Sequence, residues 1–344
     1  MIKSSQVTIK DIARELNISP STVSRALKDH PDISTDTKKA VNELARKLNY
    51  QPNSIALSLR KSRTNTIGVI IPEIVHFFFS TVIAGIEDVA YANGYNVVIC
   101  QSNESYDREL TDTRALMASR VDGLLVSVSR ETTDFTHFKE IYDKGTPLVF
   151  FDRVCEEINT SRVIIDDTDS AFQAVEHLIS QGCKRIAHLA GPQHLSISKG
   201  RLEGYHAALQ KHGLPVEEDL VVSCGVGDEK MGAECARTLF NLANPPDGIF
   251  ANNDISAIGA MQAIKKMGLK IPDDVAIVGF SDWMVSAFVE PSLTSISQPG
   301  FEMGRAAAQL FLEQIEVKDD ETYEPKISTL KTNLIVRDSS SRLK

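Results

Sequence analysis

VTIKDIARELNISPSTVSRALKDHPDISTDTKKAVNELARKLNYQPNSIALSL, from Val7 to Leu59, decides the architecture of this 344-residue chain. Ile9, Ile12, Ala13 and Leu16 recur at the i, i+3, i+4, i+7 spacing of one helical face. Asn17 follows, a residue that tolerates the left-handed conformation at a helix C-terminus. Ser19 can N-cap a second helix with Pro20 at its first position, where a missing N–H costs nothing. That helix runs from Pro20 to about Lys28, with Val23, Ala26 and Leu27 inward and Ser21, Thr22, Ser24, Arg25 and Lys28 outward. A third helix starts after Ser34 and runs to Leu48, carrying Val41, Leu44, Ala45 and Leu48 as its buried stripe. Two short helices joined by a tight polar turn form a helix-turn-helix, whose second helix fits a major groove. The competing reading is a small helical bundle with solvated charges.

The whole string resembles the DNA-binding headpiece of the LacI/GalR family of bacterial transcription regulators. VTIKDIA, STVSR, LNYQPN and ALSL stand in that family's order and spacing. Leu16-Asn17 replaces the family's usual small residue and glycine, and Ile18 replaces valine, with shape and burial kept. The resemblance implies that Pro20 and Ser21 occupy the main specificity positions. Pro20 has no donor, which leaves Ser21 and apolar contact there and puts the usual operator code in doubt. Arg25 is the expected base reader, since guanidinium binds guanine O6 and N7 bidentately, with a phosphate contact as the competing role. Thr8, Thr22, Tyr50 and Asn53 are expected on the DNA backbone, and Ser24 on the same outward face. Pro52 ends the third helix, and a short hinge helix over about residues 53–61 follows. So short a helix is marginal alone, and this segment is expected to fold when two copies pair on DNA. Leu59 matches the leucine that the family wedges into the minor groove, and Ala56 lies on the same short helix.

Charge separates the chain into two parts. Residues 1–63 hold 12 Lys/Arg against 6 Asp/Glu, and the remainder holds 25 against 40, for −9 overall. A basic module on an acidic body indicates nucleic-acid contact at one end only. Hydrophobic content of 42% and charged content of 24% suit a globular protein with sizeable cores. No apolar run is long enough to span a bilayer, and residues 1–6 lack a signal-peptide apolar region, so the expected location is the cytoplasm. The five cysteines, at 100, 155, 183, 224 and 235, are scattered without metal-ligand spacing, so no disulfide, metal or cofactor is expected.

After the polar linker Lys61–Thr66, apolar runs alternate with helical stretches. The runs are 67–71, 96–100, 123–128, 147–151, 162–165, 185–190, 220–224, 248–251 and 275–280. Continuous apolar runs indicate strands covered on both faces, hence an α/β fold with parallel sheets. Gly94, Gly145, Gly182, Gly213 and Gly268 each follow a helical stretch, where glycine serves as a C-cap. Nine strands are divided between two lobes. The domains are then a headpiece over 1–63 and a ligand-binding and dimerisation body over 64–344. Resemblance to the family and to periplasmic sugar-binding proteins implies the crossovers: lobe 1 at about 65–164 and 294–323, lobe 2 at about 165–293 and 324–338. GLLVS, HLAGP, GRLEGY, ANND, VGFSD and PSLTSI are its landmarks.

Ligands bind beyond the carboxyl ends of parallel strands. Asp152 ends PLVFFD, Asn253 and Asp254 end GIFANND, Ser281 and Asp282 end AIVGFSD, and Arg201 lies early in a helix. The family places ligand contacts at positions matching Asp152, Arg201, Asn253 and the 281–282 pair. Carboxylates, an amide and a guanidinium converging on a cleft suit polyhydroxyl recognition. Ser281 replaces the family's usual aspartate, so the carboxylate role passes to Asp282 or a hydroxyl contact is lost. His76, Phe77, Phe78 and Phe79 stand where many members have Asn-Pro-Phe-Phe. Phe77 or Phe78 is placed to stack on a sugar, and Phe79 suits plain core. Any of the acids alone would read as a helix cap.

No GxSxG, HExxH, GxxxxGK[ST] or strand-borne GxGxxG is present, so the chain does not read as an enzyme. A transport-type sugar-binding protein would share the body but not the basic headpiece. The expected function is a homodimeric repressor whose affinity for a pseudo-palindromic operator is set by a sugar or sugar derivative between the lobes. A purine corepressor or a phosphoprotein signal is the alternative. No tetramerisation helix is expected, because the tail after Arg337 is polar and lacks heptads. A Leu59→Ala variant is expected to keep the dimer while losing operator affinity and DNA bend in a circular-permutation gel-shift assay. An unchanged bend angle would rule out the wedge.

Overall fold

The computed structural model describes residues 7–50, 63–75, 77–225, 227–317 and 322–342. The chain divides between Asn65 and Thr66 into two units.

In the first unit, α1 spans Ile9–Glu15, α2 Pro20–Leu27 and α3 Thr35–Lys47. Asp11 accepts from both the N–H (2.9 Å) and hydroxyl (2.7 Å) of Thr8, closing the first turn of α1. Asn17 takes φ 51°, which lets the chain reverse into the N-cap Ser19, whose Oγ accepts from the Thr22 N–H at 3.1 Å. Ile12, Val23 and Val41 contribute fully buried side chains, one per helix, to a core closed by Ala13, Ala26, Leu44 and Ala45. The expected hinge helix, with Asn53, Ala56 and Leu59, lies outside the described residues, as does His76.

The second unit contains two six-stranded sheets. The strands are β1 Thr66–Ile71, β2 Asn96–Gln101, β3 Gly123–Val126, β4 Leu148–Phe151, β5 Ser161–Ile165, β6 Ile186–Ala190, β7 Val221–Ser223, β8 Gly248–Ala251, β9 Ala276–Ser281, β10 Thr294–Ser297, β11 Ile327–Leu330 and β12 Asn333–Ile335. The first sheet has the order β11-β5-β4-β3-β1-β2, and the second β12-β10-β9-β8-β6-β7. The described pairings are parallel except β10 with β12. Helices α4 Phe77–Ala92, α5 Tyr106–Ala118 and α6 Thr136–Asp143 accompany the first sheet. Helices α7 Asp167–Ser180, α8 Ser196–Lys211, α9 Glu229–Phe240 and α10 Asp254–Lys266 accompany the second. All nine apolar runs are strands. The central ones are buried throughout, whereas β2, at a sheet edge, is only half-buried.

The C-terminal crossovers differ from expectation. β10 pairs with β9, so residues 294–297 belong to the second sheet and not to lobe 1. The chain crosses only afterwards, and helix α11, Gly300–Glu316, packs on α4 of the first lobe. The stretch 324–338, expected to return whole to lobe 2, is divided: β11 pairs with β5 in the first sheet, and β12 with β10 in the second. Only two residues separate them, and a partner strand, not local pattern, decides which sheet each short strand joins.

Helices α4 and α11 cross with their backbones in near contact. A Cβ on Gly304 would stand 2.0 Å from the Val82 carbonyl oxygen, and one on Gly85 2.0 Å from that of Phe301. Both obstacles are backbone, so neither side can yield cheaply. Gly304→Ala is therefore expected to cost about 1–3 kcal/mol by overpacking, seen as a thermal midpoint several degrees lower. An unchanged midpoint would mean that the helices separate without loss.

Candidate functional site

On the headpiece, Pro20, Ser21 and Arg25 are exposed on α2, while Thr22 and Ser24 are half-buried. Ser19 Oγ lies 2.6 Å from Ser21 Oγ and 2.8 Å from Thr22 Oγ1, so both hydroxyls already belong to the cap. Thr8 caps α1, and Tyr50 packs against the headpiece core. Arg25 is the exposed cation of this helix's last turn.

Between the lobes lies a cavity of about 90 Å³, lined by Phe78 and Phe79 of α4, Asp152 and Arg153 after β4, Arg201 of α8, Asn253 after β8 and Ser281 at the end of β9. Trp283, Gln298, Asn252 and Ile197 complete the lining. The structure thus brings together Phe78, Asp152, Arg201, Asn253 and Ser281. Phe77 and Asp282 instead line an adjoining cavity of about 330 Å³. The Asp282 carboxylate accepts from Arg337 Nη2 at 2.7 Å, which occupies the charge expected for ligand. Phe79 is core, as its 4% exposure requires, yet it also forms part of the cavity wall.

Strand ends aim these groups. Asp152, Ser281 and Asp282 take φ of 59°, 104° and 52°, conformations that L residues adopt only under constraint. Ser281 Oγ donates to Gln298 Oε1 at 2.7 Å, tying β9 to the crossover. Burial raises the Asp152 carboxyl above the ordinary carboxylate range, against the pull of Arg153 and Arg201.

Arg201 is 3% exposed and held on three sides. Nε donates to Asp167 at 2.8 Å, Nη1 donates to the Asn252 carbonyl at 2.7 Å, and the guanidinium carbon sits 3.6 Å above the Phe280 ring. Burial pushes Asp167 up to about 6, with Arg201 opposing. Asn253 N-caps α10, its Oδ1 accepting from the Ser256 N–H at 2.8 Å. Asp254 points away from the cavity. It accepts from the Trp283 N–H (2.7 Å), Ser286 Oγ (2.9 Å) and Ser295 Oγ (2.6 Å), and burial pushes it up to about 7. Its bonds position Trp283, the chain's single tryptophan, at the cavity.

Residues 64–335 match the family described as periplasmic binding proteins and sugar binding domain of LacI family, and residues 8–53 match bacterial regulatory proteins, lacI family. The chain belongs to the LacI family. It is a DNA-binding repressor with an effector-binding domain, and not an enzyme. The ribose operon repressor of Halalkalibacterium halodurans is 35% identical over 97% of each chain. The transcriptional repressor CytR of Escherichia coli K12 is 34% identical over 90% of each. Among solved structures, the lac repressor dimer bound to operator and an anti-inducer has a TM-score of 0.84 at 25% identity, covering 98% of this chain and 99% of that one. The CelR–cellobiose complex has a TM-score of 0.74 at 29% identity, covering 97% and 99%. Among the described residues, no helix is long and apolar enough to cross a membrane.

Sequence reasoning missed Trp283, Asn252, Arg153 and Gln298. Trp283 had a usable signal, being the sole tryptophan and one residue beyond the 281–282 pair. Gln298 had none, because its place depends on the crossover after β10.

Behind Arg201, His188 of β6 stacks on Phe250 with ring centroids 4.8 Å apart, and on Tyr205 at 5.3 Å. Nδ1 lies 3.1 Å from the Phe250 carbonyl, and Nε2 is buried without a hydrogen-bond partner among the described residues, so the ring is neutral with its proton on Nδ1. Burial lowers His188 to about 4. The unfolded chain therefore binds a proton that the fold refuses. This stability is present in full above pH 6.5 and is lost as pH falls toward 4, at roughly 1.4 kcal/mol per unit. His188→Phe keeps the stack, so its thermal midpoint is expected to fall less steeply than the wild type's between pH 6.5 and 4. Parallel slopes would mean that the ring titrates normally.

Proposed function

We propose that a sugar or sugar derivative binds between the lobes and sets operator affinity. The convergence of Asp152, Asn253, Ser281 and Arg201 on one cavity walled by Phe78, Phe79 and Trp283 carries this reading. Hydroxyl groups of a polyol need carboxylate and amide partners, and the apolar face of a sugar ring needs an aromatic wall. The ribose and cellobiose in the names of similar proteins support the same class. The body pairs as a homodimer and presents two headpieces to a pseudo-palindromic site, with Arg25 reading base edges and Thr8, Thr22 and Tyr50 touching backbone. Ligand binding changes the lobe angle, and the segment around residues 53–61 transmits that change to the headpieces. Such coupling is typically about 1–3 kcal/mol, roughly a 5- to 150-fold change in operator affinity. A purine effector is the second reading, favoured by the same three rings, which would sandwich a flat base.

Trp283 is the only tryptophan, so emission excited selectively at tryptophan reports the cleft alone. Titration with ribose, cellobiose, adenosine and adenine, alongside gel shifts on a selected operator, tests the reading. A mono- or disaccharide should change both emission and operator affinity. A response to adenine or adenosine alone would replace sugar by purine. A chain lacking residues 1–63 that held operator as well as the whole would sink the DNA-binding assignment.

A further inference from the structure

We infer that the cleft accepts an uncharged or cationic effector and rejects carboxylated and phosphorylated ones. This deepens the reading that a small molecule occupies the cleft, and it holds for a sugar or a nucleoside skeleton.

The cations of the inner cavity are already matched. Arg201 is spent on Asp167, the Asn252 carbonyl and the Phe280 face. Arg153 donates to Glu104 at 2.7 Å, and both partners are largely buried. What remains for a ligand holds donors, Gln298 Nε2 and Arg153 Nε, as well as acceptors, but the carboxylates at the cavity (Asp152, with Glu104 and Asp167 behind it) outnumber the two guanidiniums. Asp152 presents a carboxyl, and Asn252, 8% exposed, has an Oδ1 without a hydrogen-bond partner among the described residues. Such a lining is satisfied by hydroxyl groups, which both donate and accept, and tolerates an ammonium donor beside Asp152. A phosphate or carboxylate would add a further negative charge beside Asp152, where both guanidiniums already face carboxylates and, of their buried nitrogens, only Arg153 Nε lacks a hydrogen-bond partner among the described residues.

Both flanks repeat the same sign. A cavity of about 550 Å³ shares Asp152 and Ile197 with the inner one, and Glu156, Glu157, Asp166 and Glu203 line it. Lys199 is there too, one cation against those four carboxylates. The cavity on the other side is lined by Glu302 and by Asp282, whose charge Arg337 offsets. An anion approaching from either side meets a negative field, which a low-dielectric cleft focuses.

Quenching of Trp283 in the full chain tests the field without knowledge of the effector. Iodide is expected to quench at least several-fold less than neutral acrylamide, and Glu156→Gln with Glu157→Gln should narrow that gap. Iodide quenching equal to that by acrylamide, unmoved by the double variant, would overturn the inference. Matched probes test the chemistry directly: glucose, glucosamine, glucuronate and glucose 6-phosphate; ribose and ribose 5-phosphate; adenosine and its monophosphate. In any set that binds, the uncharged or amino member should bind about tenfold or more tightly than the acid. An acid or phosphate that matches or beats its neutral counterpart would overturn it. If adenosine binds and no sugar does, the sugar reading fails, while adenosine against its monophosphate still decides the charge rule.

Discussion

The body depends on one constraint: a strand in a parallel sheet must be re-entered from the same end each time. Each intervening helix returns the chain, so the carboxyl ends of the strands collect along one edge of each sheet. Asp152 follows β4, Asn252 and Asn253 follow β8, Ser281 ends β9 and Gln298 follows β10. These residues are far apart in the chain and meet only because both sheets turn that edge to the same cavity. The left-handed φ at Asp152 and Ser281 is the local consequence, since the chain must turn sharply there to bring a polar group to the opening.

A buried charge is tolerated only when its partners are fixed. Arg201 satisfies that condition through Asp167, the Asn252 carbonyl and Phe280, and Phe280 continues into the rings of Phe250, His188 and Tyr205. The guanidinium is thereby a rigid part of the second lobe's wall. Arg153, paired with Glu104, has the corresponding place in the first lobe. Asp254 uses three donors to hold Trp283 and β10 against α10, so the aromatic wall is braced by a carboxyl that never reaches the cavity.

The headpiece was legible almost residue by residue, because capping and turn chemistry are local. Ser19, Ser34 and Asn17 do what their side chains favour. The same holds for the five glycines that close helices of the body, all with positive φ. Asp152, Arg201, Asn253 and Ser281 were legible as strand-end or helix-start residues. Which of the two roles falls to Asp282 was not legible, because Arg337, its partner, lies 55 residues away. β11 and β12 were assigned to one lobe for a similar reason, since a short half-exposed strand carries no mark of the sheet that it will join.

Sequence alone determined the basic helix-turn-helix, the alternation of buried strands with helices, and the polar residues at the strand ends. These follow from periodicity, charge and backbone preference within a few residues. Tertiary structure alone decided that β10 and β12 close the second sheet and β11 the first, that Trp283, Asn252 and Gln298 reach the cavity, and that its arginines are already paired. Those outcomes rest on contacts between distant segments, whose free energy is set by packing and desolvation once the lobes have formed.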